Sequence, residues 1–327
     1  MLPSLPTALI TEILAAPPAF HDSGQQEACE RLVDELSEED QEVAAETSYA
    51  YWVASVSDKD CLSPDVRKRM VLKEALRHYV GEGQDYDKAL ISLQGAIDYR
   101  KEYKTNLFRT CLLDDFPYDN EEDAKLAAHY RQLIESDLPK QFIVIRGKDK
   151  EDHPIVLVST RSTPDTDDEA YVMTRLHAVE RVVAVAETVS RGKLEKVVTV
   201  LDFGDYKSGH SPPYSAIKQV VVLLQRKYPE RLKRLIILDP PLWMRGLFFV
   251  IRPFLDPDTR EKVFLVRGLD KKIEMFSGMI DKEQATSTLL PDGELTAPVD
   301  IQRYMHSVPF HCLYDDDGSQ SQPTAQG

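Results

Sequence analysis

The chain has 327 residues, 42% hydrophobic and 29% charged, with 40 basic and 55 acidic residues and a formal charge of −15. That composition is globular, with apolar material for one large core or two smaller ones. No stretch approaches 18 consecutive apolar residues, which argues against a membrane-spanning helix, and a uniformly acidic surface would repel nucleic acid and anionic membranes.

Residues 1–62 read as an acidic extension. The first 60 hold two basic residues, Arg31 and Lys59, against 13 acidic ones. The mildly apolar start, up to Phe20, has no basic leader and carries Glu12, so a short amphipathic or disordered segment is expected rather than a signal peptide. The run ELSEEDQEVAAE predicts a solvated helix or a partly ordered, solubilising arm. Cys29, Cys61, Cys111 and Cys312 are scattered, which suits a reducing, cytoplasmic compartment and offers no metal site.

Residues 63–137 predict a small helical lobe. Ser63-Pro64-Asp65 is a helix start: a hydroxyl cap, proline at the first helical position and an acid in the first turn. Val66, Met70, Leu76 and Val80 share a face of the helix that follows, and Gly81 and Gly83 end it. A second helix places Tyr86, Ala89, Leu93 and Ile97 on one side. A third starts at Asn120, with Glu121, Glu122 and Asp123 in its first turn.

After Leu138-Pro139 the period changes. QFIVIRG and PIVLVST are β-branched runs around a turn. A long helix is expected from about Asp167 to Ser190, then the strand KVVTVLDF, a helix from Ser211-Pro212, the strand RLIILD, an apolar helix LWMRGLFFVIRPF and the strand VFLV. This alternation predicts an α/β domain over 138–298 with a largely parallel sheet. Residues 299–327 form a tail, disordered from Tyr314 onward.

Several chemistries lack a candidate. There is no phosphate-cradling glycine loop, no nucleophile elbow and no metal-spaced histidine pair. Asp202 and Asp239 end strands, where α/β enzymes keep catalytic carboxylates, but no companion motif follows, so a cap or turn role is expected for each. Ser208-Gly209-His210-Ser211 reads as a loop and His177 as a packed or surface histidine.

Residues 225–266 carry the most information: QRKYPERLKRLIILDPPLWMRGLFFVIRPFLDPDTREKVFLV. Trp243, Leu247, Phe248, Val250, Ile251, Phe254 and Leu255 cannot all face one core. A helix apolar all round is either deeply buried or faces something apolar that is not protein. The segments YPERL (228–232), IILDPP (236–241) and PFLDPDTREKV (253–263) resemble, in order and spacing, the hallmark of the CRAL-TRIO family of lipid-binding proteins. KDKEDHPIVL, VVTVLDFGDY and YDKALISLQGAIDYRKEY resemble weaker family segments, so the likeness runs over about 65–295.

The resemblance implies a mixed α/β sheet flooring a hydrophobic lipid pocket, with the greasy helix as a gate and a helical lobe in front. It implies a phospholipid ligand, phosphatidylinositol or a phosphoinositide, shielded and transferred without enzymatic chemistry or a cofactor. Glu230, Asp258, Thr259 and Lys262 fall at the family's headgroup positions. Lys262 offers a charge and rotatable donors to phosphate, Thr259 a hydroxyl, and Asp258 an acceptor for inositol hydroxyls. Thr199 keeps a hydroxyl at a position used for phosphocholine in dual-ligand members, but its partner position is Val197. Of the family's basic lobe segment only Arg77 remains, and Glu82 stands where an arginine is expected. Trp243, Leu247, Phe248, Phe249, Ile251 and Phe254 are the expected gate and membrane contacts.

The charge distribution fits that reading. Residues 207–272 hold 14 basic and 6 acidic residues, suited to transient contact with an anionic leaflet by a cytoplasmic monomer that binds no nucleic acid. The acidic extension would then compete with lipid for this face. The alternatives are a carrier of a terpenoid, sterol or retinoid-like hydrophobe, a scaffold with a vestigial pocket, and a hydrolase using Asp202 or Asp239.

Overall fold

A computed structural model describes residues 4–57, 59–159, 167–204, 206, 214–251 and 257–314, excluding the side chains at 140, 141, 214, 245, 247, 249–251, 257 and 258. Four helices precede Ser63: α1 (Thr7–Ala15), α2 (Ser23–Asp34), α3 (Glu38–Ala45) and α4 (Tyr49–Ser57). Asp22 caps α2 by accepting from the Gln25 amide at 2.8 Å, and Ser37 caps α3 by accepting from the Asp40 amide at 3.1 Å. The acidic run is thus partly a helix start, with Glu38, Glu39 and Asp40 at the positive end of the α3 dipole.

The next helices are α5 (Pro64–Gly81), α6 (Tyr86–Tyr103) and, after a 3-10 turn at Thr105–Arg109, α7 (Glu121–Gln141). Ser63 and Asn120 cap α5 and α7 through their side chains. The α7 helix continues through Pro139, beyond the expected boundary, and ends where Phe142 takes a φ of 45° and its amide bonds the Leu138 carbonyl.

The separate extension expected over 1–62 is corrected by the packing. Ile10, Ile13, Cys29, Leu32, Tyr49 and Trp52 are buried in one core with Met70, Val71, Leu93 and Ile97 of α5 and α6. The acids lie on the outward faces, where Glu42 pairs with Arg67, and Glu39 and Asp40 with Lys101. Residues built into the lobe in this way are not a free arm that could swing onto the basic face.

The sheet has the order β1-β2-β3-β4-β5: β1 (Ile143–Lys148), β2 (Pro154–Ser159), β3 (Val197–Asp202), β4 (Leu232–Leu238) and β5 (Val263–Val266). β1 and β2 pair antiparallel; the remaining pairs are parallel. The crossovers carry α8 (Asp168–Val189), α9 (Tyr214–Lys227), and α10 (Leu242–Ile251) with α11 (Pro257–Glu261); α12 (Leu269–Met279) and α13 (Ile301–His306) follow. The Ser211-Pro212 helix start lies outside the described residues.

Strand alternation divides the sheet between two cores. Ile143, Ile145, Val156 and Val197 face a core shared with α7 and α8. Val144, Ile155, Leu157, Val198 and Val200 face the opposite core, closed by Phe276 and Met279 of α12. The expected tail is folded as far as Tyr314, which is buried and whose amide donates to the Ile145 carbonyl at 2.9 Å. Disorder expected from Tyr314 onward therefore does not begin there, and residues 315–327 lie outside the described residues. No helix among the described residues is long and apolar enough to cross a membrane.

Candidate functional site

A cavity of about 350 Å³ lies between one sheet face, α8 and α9. Its floor follows from the strand period: Val156 and Val158 of β2 and Thr199 and Leu201 of β3 point into it. Its wall follows from helical spacing, with Ala178, Val179 and Val182 on α8 and Val220 and Leu224 on α9.

Glu230, Thr259 and Lys262 line the same cavity, with Thr199 in its floor. Sequence-distant elements bring them together. Glu230 sits in the turn before β4 with a φ of 57°, a region that few non-glycine residues occupy. Thr259 is in α11, and Lys262 follows it, its carbonyl accepting from the Leu235 amide at 2.8 Å. Thr199 pairs in register with Val156 and Leu235. The side chain of Asp258 lies outside the described residues.

Glu230 is held between two lysines. Lys196 Nζ is 2.7 Å from Oε2 and Lys262 Nζ is 3.6 Å from Oε1. One carboxylate and two ammonium groups leave a positive charge beside this end, while Arg231, which also lines the cavity, lies among Glu195, Glu74 and Glu187. Lys196 was not singled out from the sequence, since the run GKLEK carries no motif. Only its position at the start of β3, which is paired with the YPERL turn, brings it to Glu230.

The motif is anchored from behind. The Tyr228 hydroxyl donates to Glu180 Oε1 at 2.8 Å, and Glu180 also accepts from Arg100 at 2.8 Å and Arg109 at 2.9 Å. Burial alone would raise the Glu180 carboxyl, but Arg100 and Arg109 outweigh it and hold it down to about 2. Pro229 packs on the C-terminal end of α5, where a Cβ on Gly81 would lie 3.0 Å from Pro229 Cβ.

Arg77 is committed elsewhere. It pairs with Glu74 of α5 and, at 2.6 Å, with Glu195 of the loop between α8 and β3. Burial pushes the Glu74 carboxyl up, and Arg77 more than reverses that, holding it well below the usual range. Asp202 accepts from the Gly204 amide at 2.9 Å; Asp239 accepts from the Gly268 amide and pairs with Lys272 at 2.7 Å. The Asp202 contact is the expected local turn, whereas Asp239 reaches across to the start of α12 instead of capping its own turn. The Ser208–Ser211 loop lies outside the described residues.

Of the expected gate contacts, Trp243 is half-buried and turned toward the protein, its ring 6.1 Å from Phe203 and 5.8 Å from Tyr206. Phe248 is half-buried. The side chains of Leu247, Phe249 and Ile251, and all of Phe254, lie outside the described residues. Leu242, at the first position of α10, is the outward residue at 76% exposure.

Residues 138–289 match the CRAL/TRIO domain family. The likeness to that family lies in this segment, just under half of the chain. The matched segment holds β1–β5, α8–α12 and every candidate headgroup residue. The chain is similar to phosphatidylinositol transfer protein PDR17 of Saccharomyces cerevisiae, 25% identical over 170 residues, covering 49% of this chain and 47% of that protein. It is similar to the SEC14 cytosolic factor of Yarrowia lipolytica, 30% identical over 171 residues, covering 50% of this chain and 32% of that protein. Patellin-3 of Arabidopsis thaliana is 26% identical over 171 residues, covering 47% and 34%. The chain thus spans between about a third and a half of these relatives. The crystal structure of Sfh5 superposes with a TM-score of 0.56 at 14% identity, covering 87% of this chain and 92% of that one, a likeness of fold.

Proposed function

We propose that this protein binds one phospholipid, phosphatidylinositol or a phosphoinositide, and transfers or presents it between membranes without making or breaking a bond. The observation that carries the reading is one cavity with an apolar wall of valines and leucines and a cationic end at Lys262 and Glu230, with Lys196 pairing Glu230 from outside the lining. The wall suits acyl chain, and the cationic end suits a phosphate, with Lys262 and Thr259 donating and Glu230 and Asp258 accepting from inositol hydroxyls. The family match and the relatives' names support the ligand class.

Acyl burial sets the mechanism. Each methylene kept from water contributes about 0.8 kcal/mol, so a lipid leaves into another apolar phase and not into bulk water. The gate α10 therefore opens at a membrane, with Leu242 as its outermost apolar contact and the basic stretch 207–272 against anionic headgroups. A cavity of about 350 Å³ is at the small end of ligand sites, so a two-chain lipid requires α9 to move outward.

That same volume favours a second reading, a compact single-chain or isoprenoid hydrophobe. Mass spectrometry of the lipid extracted from purified protein separates the two. An inositol phospholipid at about one per chain supports the proposal, and a headgroup-free hydrophobe replaces it with the second reading.

A further inference from the structure

A second cavity, of about 720 Å³, lies on the far side of α8, between α1, the Thr105–Arg109 turn and the chain after α13. It shares no lining residue with the first, and its volume is within the ~300–1,000 Å³ range of small-molecule sites. Leu5, Leu9, Phe108, Leu112, Leu113 and Met305 make most of its wall apolar.

Its polar residues are unusual. Arg181 is 1% exposed, and among the described residues it forms no ion pair. Nη1 donates to the Tyr304 carbonyl at 2.9 Å and Nη2 to the Val308 and Pro309 carbonyls at 2.9 and 3.4 Å. Its Nε–H has no partner. A buried guanidinium facing only neutral groups is a costly arrangement; Arg100, Arg109 and Arg77 all have carboxylates.

One turn earlier on α8, His177 is 2% exposed and its Nδ1 lies 3.1 Å from the Phe108 carbonyl. A carbonyl only accepts, so Nδ1 carries the proton and Nε2 is a bare acceptor, again without a partner. His311 lines the same cavity with its Nδ1 unpartnered. Burial, reinforced by Arg181, keeps both rings neutral. Three buried groups on one cavity thus comprise a donor on an uncompensated cation and two imidazole nitrogens.

From this geometry we infer that the second cavity binds an apolar carboxylic acid of the fatty-acid class, its carboxyl group at Arg181 and His177 and its chain against Leu9, Leu112 and Leu113. A carboxyl group supplies both missing partners. The ligand binds as the neutral acid, its O–H donating to His177 Nε2 and its other oxygen accepting from Arg181 Nε–H, and no bond is made or broken.

The test uses the full chain, stripped of lipid, with palmitate and methyl palmitate as probes. Saturable palmitate binding, with the ester at least ten-fold weaker, is the expected result, since the ester has no O–H to donate to His177 Nε2. A photoreactive palmitate should crosslink to peptides within 105–113 or 305–312, and Leu113→Trp, which fills the cavity at a half-buried position, should weaken palmitate at least ten-fold. Absence of saturable binding, an ester within three-fold of the acid, or crosslinks confined to 197–235 would overturn the inference. The ester and crosslinking arms use the native chain, so they decide the matter even if Leu113→Trp does not fold.

Discussion

The Tyr228 hydroxyl and Glu180 Oε1 are 2.8 Å apart, joining the first residue of the YPERL motif to a buried carboxylate that also holds Arg100 of the helical lobe and Arg109 of the turn behind it. The lobe, α8 and the headgroup turn therefore share one charge cluster. Glu230 stands two residues from this anchor, in a left-handed conformation that the surrounding packing has to maintain.

Glu180→Gln and Tyr228→Phe should differ in cost. The first leaves two buried guanidinium groups without an anion, a loss of about 3–5 kcal/mol. The second removes one hydrogen bond to a carboxylate that keeps two arginines, about 1.5–3 kcal/mol. Urea denaturation of both variants checks the order, and equal losses would contradict it.

Acid should destabilise the fold from near neutrality downward. Burial, with Arg181 second, pushes His177 down to about 3 and His311 down to about 4, both below the ordinary 6.5. The unfolded chain then binds protons that the folded chain refuses, so the stability these rings contribute above pH 6.5 is lost as pH falls. Each contributes a slope of up to about 1.4 kcal/mol per pH unit. Glu180, held at about 2, adds its own loss only below its ordinary 4.5. Denaturation midpoints at pH 7, 6 and 5 measure the slope, which His177→Gln should reduce by about half; a flat profile across this range would contradict the burial of the imidazoles.

Much of this was legible before the structure. All five strands and the starts at Ser63 and Asn120 follow from local period and cap chemistry, and the Glu230–Thr259–Lys262 grouping from the resemblance to the CRAL-TRIO family. The rest depended on non-local packing. In residues 1–62 the apolar positions Ile13, Leu32 and Trp52 are single residues among acids, and only the partner faces of α5 and α6 show them to be core. Trp243 looked outward on a greasy helix because Phe203 and Tyr206, on which it packs, arrive from the end of β3 and the chain just beyond it. Lys196 and the commitment of Arg77 to Glu74 and Glu195 are likewise set by contacts far apart in sequence.

Lys196→Ala should lower phosphatidylinositol transfer by roughly three- to ten-fold, the scale of one ordinary net hydrogen bond, because the pair is partly exposed. Without Lys196, the Glu230 carboxylate is free to draw Lys262 closer and away from a phosphate. Lys196→Arg should retain most of the transfer. Equal, full activity of both variants would show that Lys196 does not position Glu230.

Gly81→Val tests the contact between the lobe and the motif. A side chain there meets Pro229, and forcing atoms into a filled contact costs about 1–3 kcal/mol. Thermal unfolding should register that loss, together with weaker lipid binding because Glu230 is the next residue. Wild-type stability and binding would mean that Pro229 yields freely.

The central claim is that the cavity ending at Glu230, Thr259 and Lys262 holds an inositol phospholipid. The most direct measurement is phosphatidylinositol transfer between vesicles by the native chain and by Lys262→Ala, with circular dichroism confirming that both are folded. The account predicts transfer by the native chain and at least a ten-fold loss in the variant, the scale of a charged hydrogen bond to phosphate. Undiminished transfer by a folded Lys262→Ala would contradict it.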